Sequence, residues 1–245
     1  MRFENEILSY LEGKKLSTGL KFKIFYPDRN IEDRINFLKK MVKGKKIIHL
    51  GFADHKEIIN SKLAANIWLH KHLVESSSFC LGIDIDEEAV EYVRSLGFKN
   101  IYCGDILKSK EILELISKDS YDILLAGEVI EHINDPLLFL KSLRELYNEH
   151  IKLLVITVPN VFAIRNFLPV LQGFEVINTD HRYWFSPFTL AKILSLSGFK
   201  LEEFYFVHSD NPVKVLPHKS IRFLYWTLLK YKPQFRSTIV MIARF

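Results

Sequence analysis

Short apolar runs alternate with segments of helical periodicity along most of the 245-residue chain. The runs are Leu-rich or β-branched and too short for helices, and most end at Gly, Asp or Pro, so they predict β-strands. Because they are continuously apolar, we expect strands that are covered on both faces. The five strands predicted from these runs are 45–51, 79–85, 99–105, 121–127 and 151–159.

Two of the intervening segments carry helix-start signals. Acidic residues open the segment 86–97, and Gly97 ends it. Further along, Asp135 is placed as an N-cap with Pro136 at the first helical position. Strands alternating with helices imply right-handed crossovers and a parallel, doubly wound sheet. The apolar face of the second helix is predicted to consist of Leu137, Leu140, Leu143 and Leu146.

The pattern changes after Pro159, where an aromatic-rich stretch leads to a further predicted helix at 186–199. Two final strands, 200–207 and 237–245, are predicted to form an antiparallel hairpin at one edge of the sheet. The predicted fold is therefore α/β and Rossmann-like, with a doubly wound, mostly parallel seven-stranded sheet. A helical extension of about 1–44 precedes a single domain, 45–245.

Composition is that of a soluble globular protein, with 48% apolar and 26% charged residues. A net charge of +5 is only mildly basic, so a nucleic-acid partner is not expected. Cys80 and Cys103 lie in strand-like contexts and predict buried thiols in a reducing compartment. No run approaches the roughly 18 apolar residues of a membrane span, and no secretory signal is evident, so we expect a cytoplasmic protein.

Glycine or an acid lies at the tip of each of the first four predicted strands, at the edge where open α/β sheets bind ligands. Gly51, with Asp54 beyond it, follows the first strand, and a glycine lets the backbone approach a ligand. Asp84 and Asp105 lie at the tips of the second and third strands, and Glu128 directly follows the fourth. An acid in the position of Asp84 commonly accepts hydrogen bonds from the ribose of a nucleoside cofactor. Asp84 and Asp105 could instead cap the helices after them.

The stretch "EVIEHINDP", residues 128–136, brings Glu128, Glu131 and His132 together. An imidazole can accept a proton near neutral pH, which suits His132 to acid–base chemistry. Alternatively, these three residues and His181 of "DHRYW" suit Mg²⁺ or Mn²⁺ with positions open for substrate oxygens. A solvated turn before a helix cap is the structural alternative.

The ordered set of Gly51, Asp84, Asp105 and Glu128 resembles class I S-adenosylmethionine (SAM)-dependent methyltransferases, over about 45–207. "YDILLAGEVIEHINDPLLFLKSL" is similar to the fourth motif of the branch that contains ubiquinone-biosynthesis O-methyltransferases and sugar-modifying enzymes. "ITVPNVFAIRNF" and "DHRYWFSPFTLAKILSLSGF" continue the likeness in order. The resemblance implies SAM as cofactor, with Gly51 at its methionine part, Asp84 at the ribose and Asp105 at the adenine amino group. The further cofactor-binding residues that it implies are Phe52, Asp54, Ile85 and Ile106.

The first motif departs from the family pattern of one acid and three glycines. Its four places hold His49, Gly51, Ala53 and His55. His49 is predicted to be a core residue, and His70 and His72, on an inserted helix, are predicted to be solvated. We expect cofactor binding to be retained because the other strand-tip acids are intact. The alternative is a non-catalytic protein that binds a nucleoside or scaffolds a partner.

The resemblance implies methyl transfer by direct SN2 displacement to a hydroxyl of a sugar, as in polysaccharide biosynthesis, or of another small metabolite. Glu128 would border the cofactor, and His132 and His181 would orient or deprotonate the acceptor. The same groups with Glu131 resemble metal sites of small-RNA 2′-O-methyltransferases, which makes a metal-assisted RNA enzyme an alternative. Segments at about 160–198 and 208–236 are expected to cover the acceptor.

Basic and aromatic residues are mixed in the stretch 219–236. They predict a helix that packs on the sheet edge or on a second subunit, so an oligomer is one alternative. A peripheral contact with a membrane surface is another, and a nucleic acid a third.

Overall fold

The computed structural model describes residues 2–24, 30–208 and 218–245. The strands in these residues are β1 Lys46–Leu50, β2 Phe79–Asp84, β3 Ile101–Cys103, β4 Tyr121–Gly127, β5 Ile151–Pro159, β6 Lys200–Val207 and β7 Thr238–Arg244. The α-helices are α1 Asn5–Leu11, α2 Arg34–Val42, α3 Lys56–Ala64, α4 Leu69–Ser76, α5 Glu87–Ser95, α6 Lys110–Ser117, α7 Pro136–Tyr147, α8 Ile164–Val170, α9 Pro187–Leu196 and α10 Lys219–Tyr231. Short 3-10 helices lie at Ile130–His132 and Pro233–Phe235. Among these helices, none combines the length and apolar character needed to cross a bilayer.

All seven strands form one sheet in the order β3-β2-β1-β4-β5-β7-β6. Strands β1 to β5 are parallel, whereas β7 runs antiparallel to both β5 and β6. The strand order reverses between β1 and β4, and such a reversal opens a crevice at the carboxyl ends of the strands. The predicted fold class is confirmed, including the antiparallel pair at the C-terminus.

Both faces of the interior parallel strands β1, β2, β4 and β5 are largely buried, which explains their continuous apolar sequence. Alternate residues of β1 enter different clusters, because successive side chains of a strand point to opposite faces. Ile48 packs in the cluster that contains residues of α7 and α9. Ile47 packs in the cluster that contains Leu38 of α2 and Leu73 of α4.

The segment before β1 is attached to the far edge of the sheet. Asp33 caps α2 by accepting hydrogen bonds from the backbone of Ile35 and Asn36. The amide of Arg34 donates to the carbonyl oxygen of His208 at 3.1 Å, and the amide of His208 donates to Glu32 at 2.9 Å. The start of α2 is therefore held beside the end of β6.

The predicted helix starts are found where the sequence signals place them. Asp135 accepts a hydrogen bond from the amide of Leu138 at 2.9 Å, and Pro136 occupies the first turn of α7. Ser186 and Thr189 form a reciprocal capping box at the start of α9. These local polar signals fix where the chain enters each helix.

The predicted apolar face of α7 is wrong in part. Leu140 and Leu143 are buried, and Tyr147 is buried with them, but Leu137 and Leu146 are exposed. A step of three residues falls short of the 3.6-residue turn, so each step rotates by about 60° around the helix. Four leucines spaced by three therefore wind around half of the helix, and only the middle two face the sheet.

One of the two cysteines also differs from its prediction. Cys80 is buried, as expected, but Cys103 is exposed. Cys103 is the last residue of β3, which is a short strand at the edge of the sheet. An edge position leaves that thiol without the cover that the interior strands have.

The prediction that His70 and His72 are solvated is wrong, because both side chains are buried. α4 turns this face toward the sheet, and the His70 ring lies 4.6 Å from that of Phe52, between centroids. Nδ1 of His70 is 3.1 Å from Nδ1 of His49 in β1, so one ring donates to the other. Burial lowers the pKa of His49 well below its usual value and that of His70 to about 3. Both rings are therefore neutral.

Replacing His70 by Asn should make the stability of the chain less sensitive to acid. Unfolded histidines take up protons near pH 6.5 while the buried pair does not, so stability is lost as pH falls below that value. Each histidine contributes about 1.4 kcal/mol per pH unit to this slope. Urea unfolding between about pH 7 and pH 5 measures it. The variant should be less stable than the wild type near neutrality but should have the shallower slope; an unchanged slope would contradict the assignment.

Candidate active site

The ends of β1 and β4 approach closely at the reversal of strand order. Gly51 has φ +67°, and a Cβ there would lie 2.5 Å from Cγ2 of Val129, so only glycine fits. Next to Val129, Glu128 also has a left-handed backbone, with φ 59°. Such a conformation costs a non-glycine residue on the order of 1 kcal/mol and is concentrated at functional sites. The strained turn therefore points to a site at this edge.

Glu128 forms an ion pair with Arg34, a residue that belongs to none of the predicted site motifs. Oε1 of Glu128 lies 2.9 Å from Nη1 of Arg34, whose side chain is only 15% exposed. The same Nη1 is 3.5 Å from Oγ1 of Thr157 in β5, and the amide of Glu128 donates to the Thr157 carbonyl at 2.8 Å. Arg34 is the first residue of α2, within the N-terminal extension that is predicted only as helical.

Asp84 connects the tip of β2 to the loop after β1. Its Oδ2 accepts from the amide of Ala53 at 2.9 Å, and its Oδ1 accepts from the amide of Asp86 at 3.1 Å. Burial raises the pKa of Asp84, although these backbone donors act in the opposite direction. Asp86, rather than Asp84, caps α5 by accepting from the amide of Ala89.

Asp105 lies in the turn after β3. Its Oδ1 accepts from the amide of Leu107 at 2.8 Å, and its other oxygen lies 3.1 Å from Nζ of Lys108. The N-cap of α6 is Ser109. Asp105 is therefore partly exposed at the edge and is not the cap of the following helix.

The other predicted cofactor residues differ in what they can present to a ligand. Phe52 and Ile106 are buried in the core, so only their backbone can face a ligand. Ile85 is 77% exposed and offers an apolar surface next to Asp84. Asp54 forms an ion pair with Lys62 of α3.

Three of the four predicted metal-binding residues come together on the turn after β4. One ligand atom each of Glu131, His132 and His181 lies within 4.8 Å of the others. The fourth, Glu128, is not part of this group. Arg182 joins the two segments, because its amide donates to the Glu131 carbonyl at 2.8 Å and its Nη1 to the His132 carbonyl at 2.6 Å. The rings of His132 and His181 meet edge to face, 4.7 Å apart.

Glu131 is fully buried, and neither of its carboxylate oxygens has a hydrogen-bond partner among the described residues. Burial raises its pKa from 4.5 to about 8, and the nearby Glu128 adds to the effect. The carboxyl group is therefore mostly protonated near neutral pH.

His181 also has a ring nitrogen without a hydrogen-bond partner among the described residues. Its Nδ1 is buried without a hydrogen bond to any described residue. Burial, and then His132, lower the pKa of His181, so its ring is neutral near pH 7. One carboxyl group and two imidazoles are a ligand set for a divalent cation, and they suit Mn²⁺ better than Mg²⁺, which prefers oxygen ligands.

A cavity of about 540 Å³ lies within the segment predicted to cover the acceptor. The ring of Trp184, which lines it, is 6.4 Å from that of His181. Val161, Phe167 and Val170 add apolar walls, and Asn166 adds a polar one. The described part of the other predicted covering segment contains α10.

Residues 29–203 match a protein family described as a methyltransferase domain. The chain belongs to this family. Together with the sheet, the match makes it a class I SAM-dependent methyltransferase, as the resemblance implied. The non-catalytic alternative is set aside accordingly. No curated protein matches the chain.

Solved structures of methyltransferases share the fold at low sequence identity. Small RNA methyltransferase HEN1 has a TM-score of 0.54 at 18% identity, over 93% of this chain and 27% of that one. Magnesium protoporphyrin IX methyltransferase from Synechocystis PCC 6803, with bound S-adenosylhomocysteine (SAH), has 0.51 at 14%, over 86% and 81%. The methyltransferase domain of a bacterial Hen1 has 0.51 at 14%, over 86% and 95%.

Replacing Glu131 by Gln should stabilise this methyltransferase at alkaline pH. The unfolded chain releases the Glu131 proton near pH 4.5 and the folded chain near pH 8, so stability falls as pH rises between these values. Glutamine is uncharged throughout and avoids this loss, which is on the order of 1–4 kcal/mol by pH 8. Urea unfolding near the two ends of the range measures the difference. A gain in stability of equal size near pH 4.5 and near pH 8 would show that the titration of Glu131 does not cause the gain.

Proposed function

We propose that the chain methylates a hydroxyl group of a sugar or another small metabolite, assisted by a divalent cation. The observation that supports this proposal most directly is the group of Glu131, His132 and His181, which lies next to Glu128 with its left-handed backbone. A cavity of about 540 Å³ adjoins this group, within the size range of small-molecule sites. We therefore rank a small acceptor above a polymeric one.

The strand-tip residues are suited to SAM, which supplies the methyl group for direct SN2 displacement. Asp84 keeps free lone pairs on both oxygens and can accept from ribose hydroxyls. Ile85 offers an apolar face to the adenine ring, and Asp105 lies at the next tip for its amino group. Gly51 lets the methionine part approach the backbone. Glu128 would then border the end of SAM from which the methyl group is transferred.

Glu131, His132 and His181 would hold the cation, which would polarise the acceptor oxygen. The raised pKa of Glu131 means that a cation must displace its proton, so binding should strengthen with pH. The close contact of the two imidazoles, with Arg182 tying their segments together, keeps the donors in place. Without a cation, the neutral His181 could itself take the proton of the acceptor hydroxyl.

A metal-assisted RNA 2′-O-methyltransferase is the second candidate. The same three residues favour it, since a ribose 2′-hydroxyl is also an alcohol. HEN1, whose fold resembles this chain, is a small RNA methyltransferase. Transfer from labelled SAM to sugar nucleotides and oligosaccharides, compared with transfer to short RNA, separates the two candidates.

Asp84→Ala should lose SAH binding, whereas His181→Ala should keep it. Loss of the ribose acceptor should weaken binding at least about tenfold, measured by isothermal titration, because two hydroxyl hydrogen bonds to a charged group are lost. His181→Ala should instead lower methyl transfer by on the order of 100-fold.

The matched control is His150→Ala, which removes an imidazole next to the start of β5, at the opposite edge of the sheet. It should leave both binding and transfer unchanged. If neither SAM nor SAH binds the wild-type chain, the proposed cofactor site is wrong.

Chelation of divalent cations should lower methyl transfer by on the order of 100-fold, because the polarisation of the acceptor oxygen is lost. Mn²⁺ should restore the wild type but not Glu131→Gln. SAH binding should be insensitive to the chelator, which serves as the control. Full activity in excess chelator, with Glu131→Gln also active, would contradict the proposed role of the cation. His181 would then be the proposed proton acceptor.

A further inference from the structure

Two helices present large apolar side chains to solvent. No residue of α8 is buried, and Leu171, directly after it, is 82% exposed. On α10, only Leu229 is buried, while Phe223 is 75% exposed. The exposed apolar residues of the two segments, defined here as the α8/α10 face, are Phe167, Leu168, Val170, Leu171, Ile221, Phe223, Leu224 and Tyr231.

Both helices connect to the edge of the sheet that carries the candidate active site, at the carboxyl ends of the parallel strands. Nδ2 of Asn160, directly after β5, donates to the carbonyls of Gln234 at 2.8 Å and Arg236 at 2.7 Å. α8 starts shortly after Asn160, and α10 ends shortly before Gln234. Phe167 and Val170 also line the cavity that contains Trp184. The α8 part of the exposed apolar surface therefore borders the proposed entrance for the acceptor, and the chain after α10 returns to the same edge of the sheet.

The α10 part of the α8/α10 face carries positive charge that no acidic side chain among the described residues pairs. Residues 218–245 contain no Asp or Glu. Four cations, Lys219, Arg222, Lys230 and Lys232, lie on or next to α10, and none is ion-paired with a described residue. Lys219 and Lys230 flank Phe223 on the outer side of the helix, as its 3.6-residue turn requires. Apolar and basic side chains thus share one exposed surface.

We propose that the α8/α10 face docks on an anionic lipid surface. Helices that lie in a membrane interface combine an apolar side with lysine and arginine, and they need no shaped partner groove. A second copy of this chain fits less well, because a two-fold contact would bring the same four cations against each other. Nucleic acid fits less well too, because Leu, Ile and Val side chains do not stack on bases as aromatic rings do.

Docking in this orientation defines the class of acceptor. The cavity beside His181 opens next to the lipid-facing residues Phe167 and Val170, so it would receive a hydroxyl compound that is carried by or partitions into the membrane. This part of the inference rests on the proposed function. The docking itself does not, because it needs neither SAM nor the acceptor.

Sedimentation of the full chain with vesicles tests the docking. Vesicles of phosphatidylcholine with added phosphatidylglycerol should bind the chain, pure phosphatidylcholine should bind it weakly, and rising ionic strength should release it. Reversing Lys219, Lys230 and Lys232 to Glu should weaken binding by about tenfold or more. Phe223→Ser with Leu224→Ser should also weaken it about tenfold, through lost apolar insertion. The matched control is Leu16→Ser with Lys118→Glu, which changes an exposed leucine and an exposed lysine elsewhere.

Several outcomes would overturn the docking. Equal binding to both kinds of vesicle, or an equal loss in the control variant, would do so. Binding to short single-stranded RNA without binding to vesicles would identify a nucleic acid as the partner. A dimer that the Phe223 and Leu224 substitutions dissociate, without vesicle binding, would identify a second copy. Unchanged SAH binding in every variant shows that the fold is intact and keeps these outcomes separate from the proposed function.

Discussion

The ends of β1 and β4 meet with no room for a side chain between them, and this close approach sets the positions of the candidate site residues. Gly51 avoids contact with Val129 only because it has no Cβ. Glu128, one residue earlier, adopts the left-handed conformation that turns the chain away from β4 and into the 3-10 helix. That helix carries Glu131 inward and His132 toward the loop after β5. A shift at the strand ends would therefore displace all the candidate groups together.

The group at this turn is held by backbone hydrogen bonds and not by bonds among its own side chains. Arg182 donates to the carbonyls of Glu131 and His132, which brings His181 over the turn. The carboxyl oxygens of Glu131 are buried and have no hydrogen-bond partner among the described residues, an arrangement that disfavours the folded state. This cost is consistent with the cation site proposed above, in which a bound ion would give the carboxyl oxygens a partner.

Much of the fold could be predicted because its signals are local. Continuous apolar runs mark the strands, and polar caps mark the helix starts. The position of Gly51 followed from the rule that parallel strands end at one edge. Arg34 and the burial of His70 could not be predicted, because both depend on which face of a helix packs on the sheet. The place of His181 depends on the hydrogen bonds of Arg182 to a distant turn, which no periodicity reveals.

The ion pair between Arg34 and Glu128 sets the smallest piece of the chain that can hold an intact site. A fragment that begins at residue 45 would retain every strand of the sheet. It would nevertheless leave Glu128 without its counter-ion and would uncover the side of the sheet on which Leu38 packs. During synthesis, Arg34 of α2 can form its ion pair with Glu128 only after β4 and β5 have been made. Residues made among the first are thus among the last to reach their place, and the N-terminal segment supplies the counter-ion of a candidate site residue.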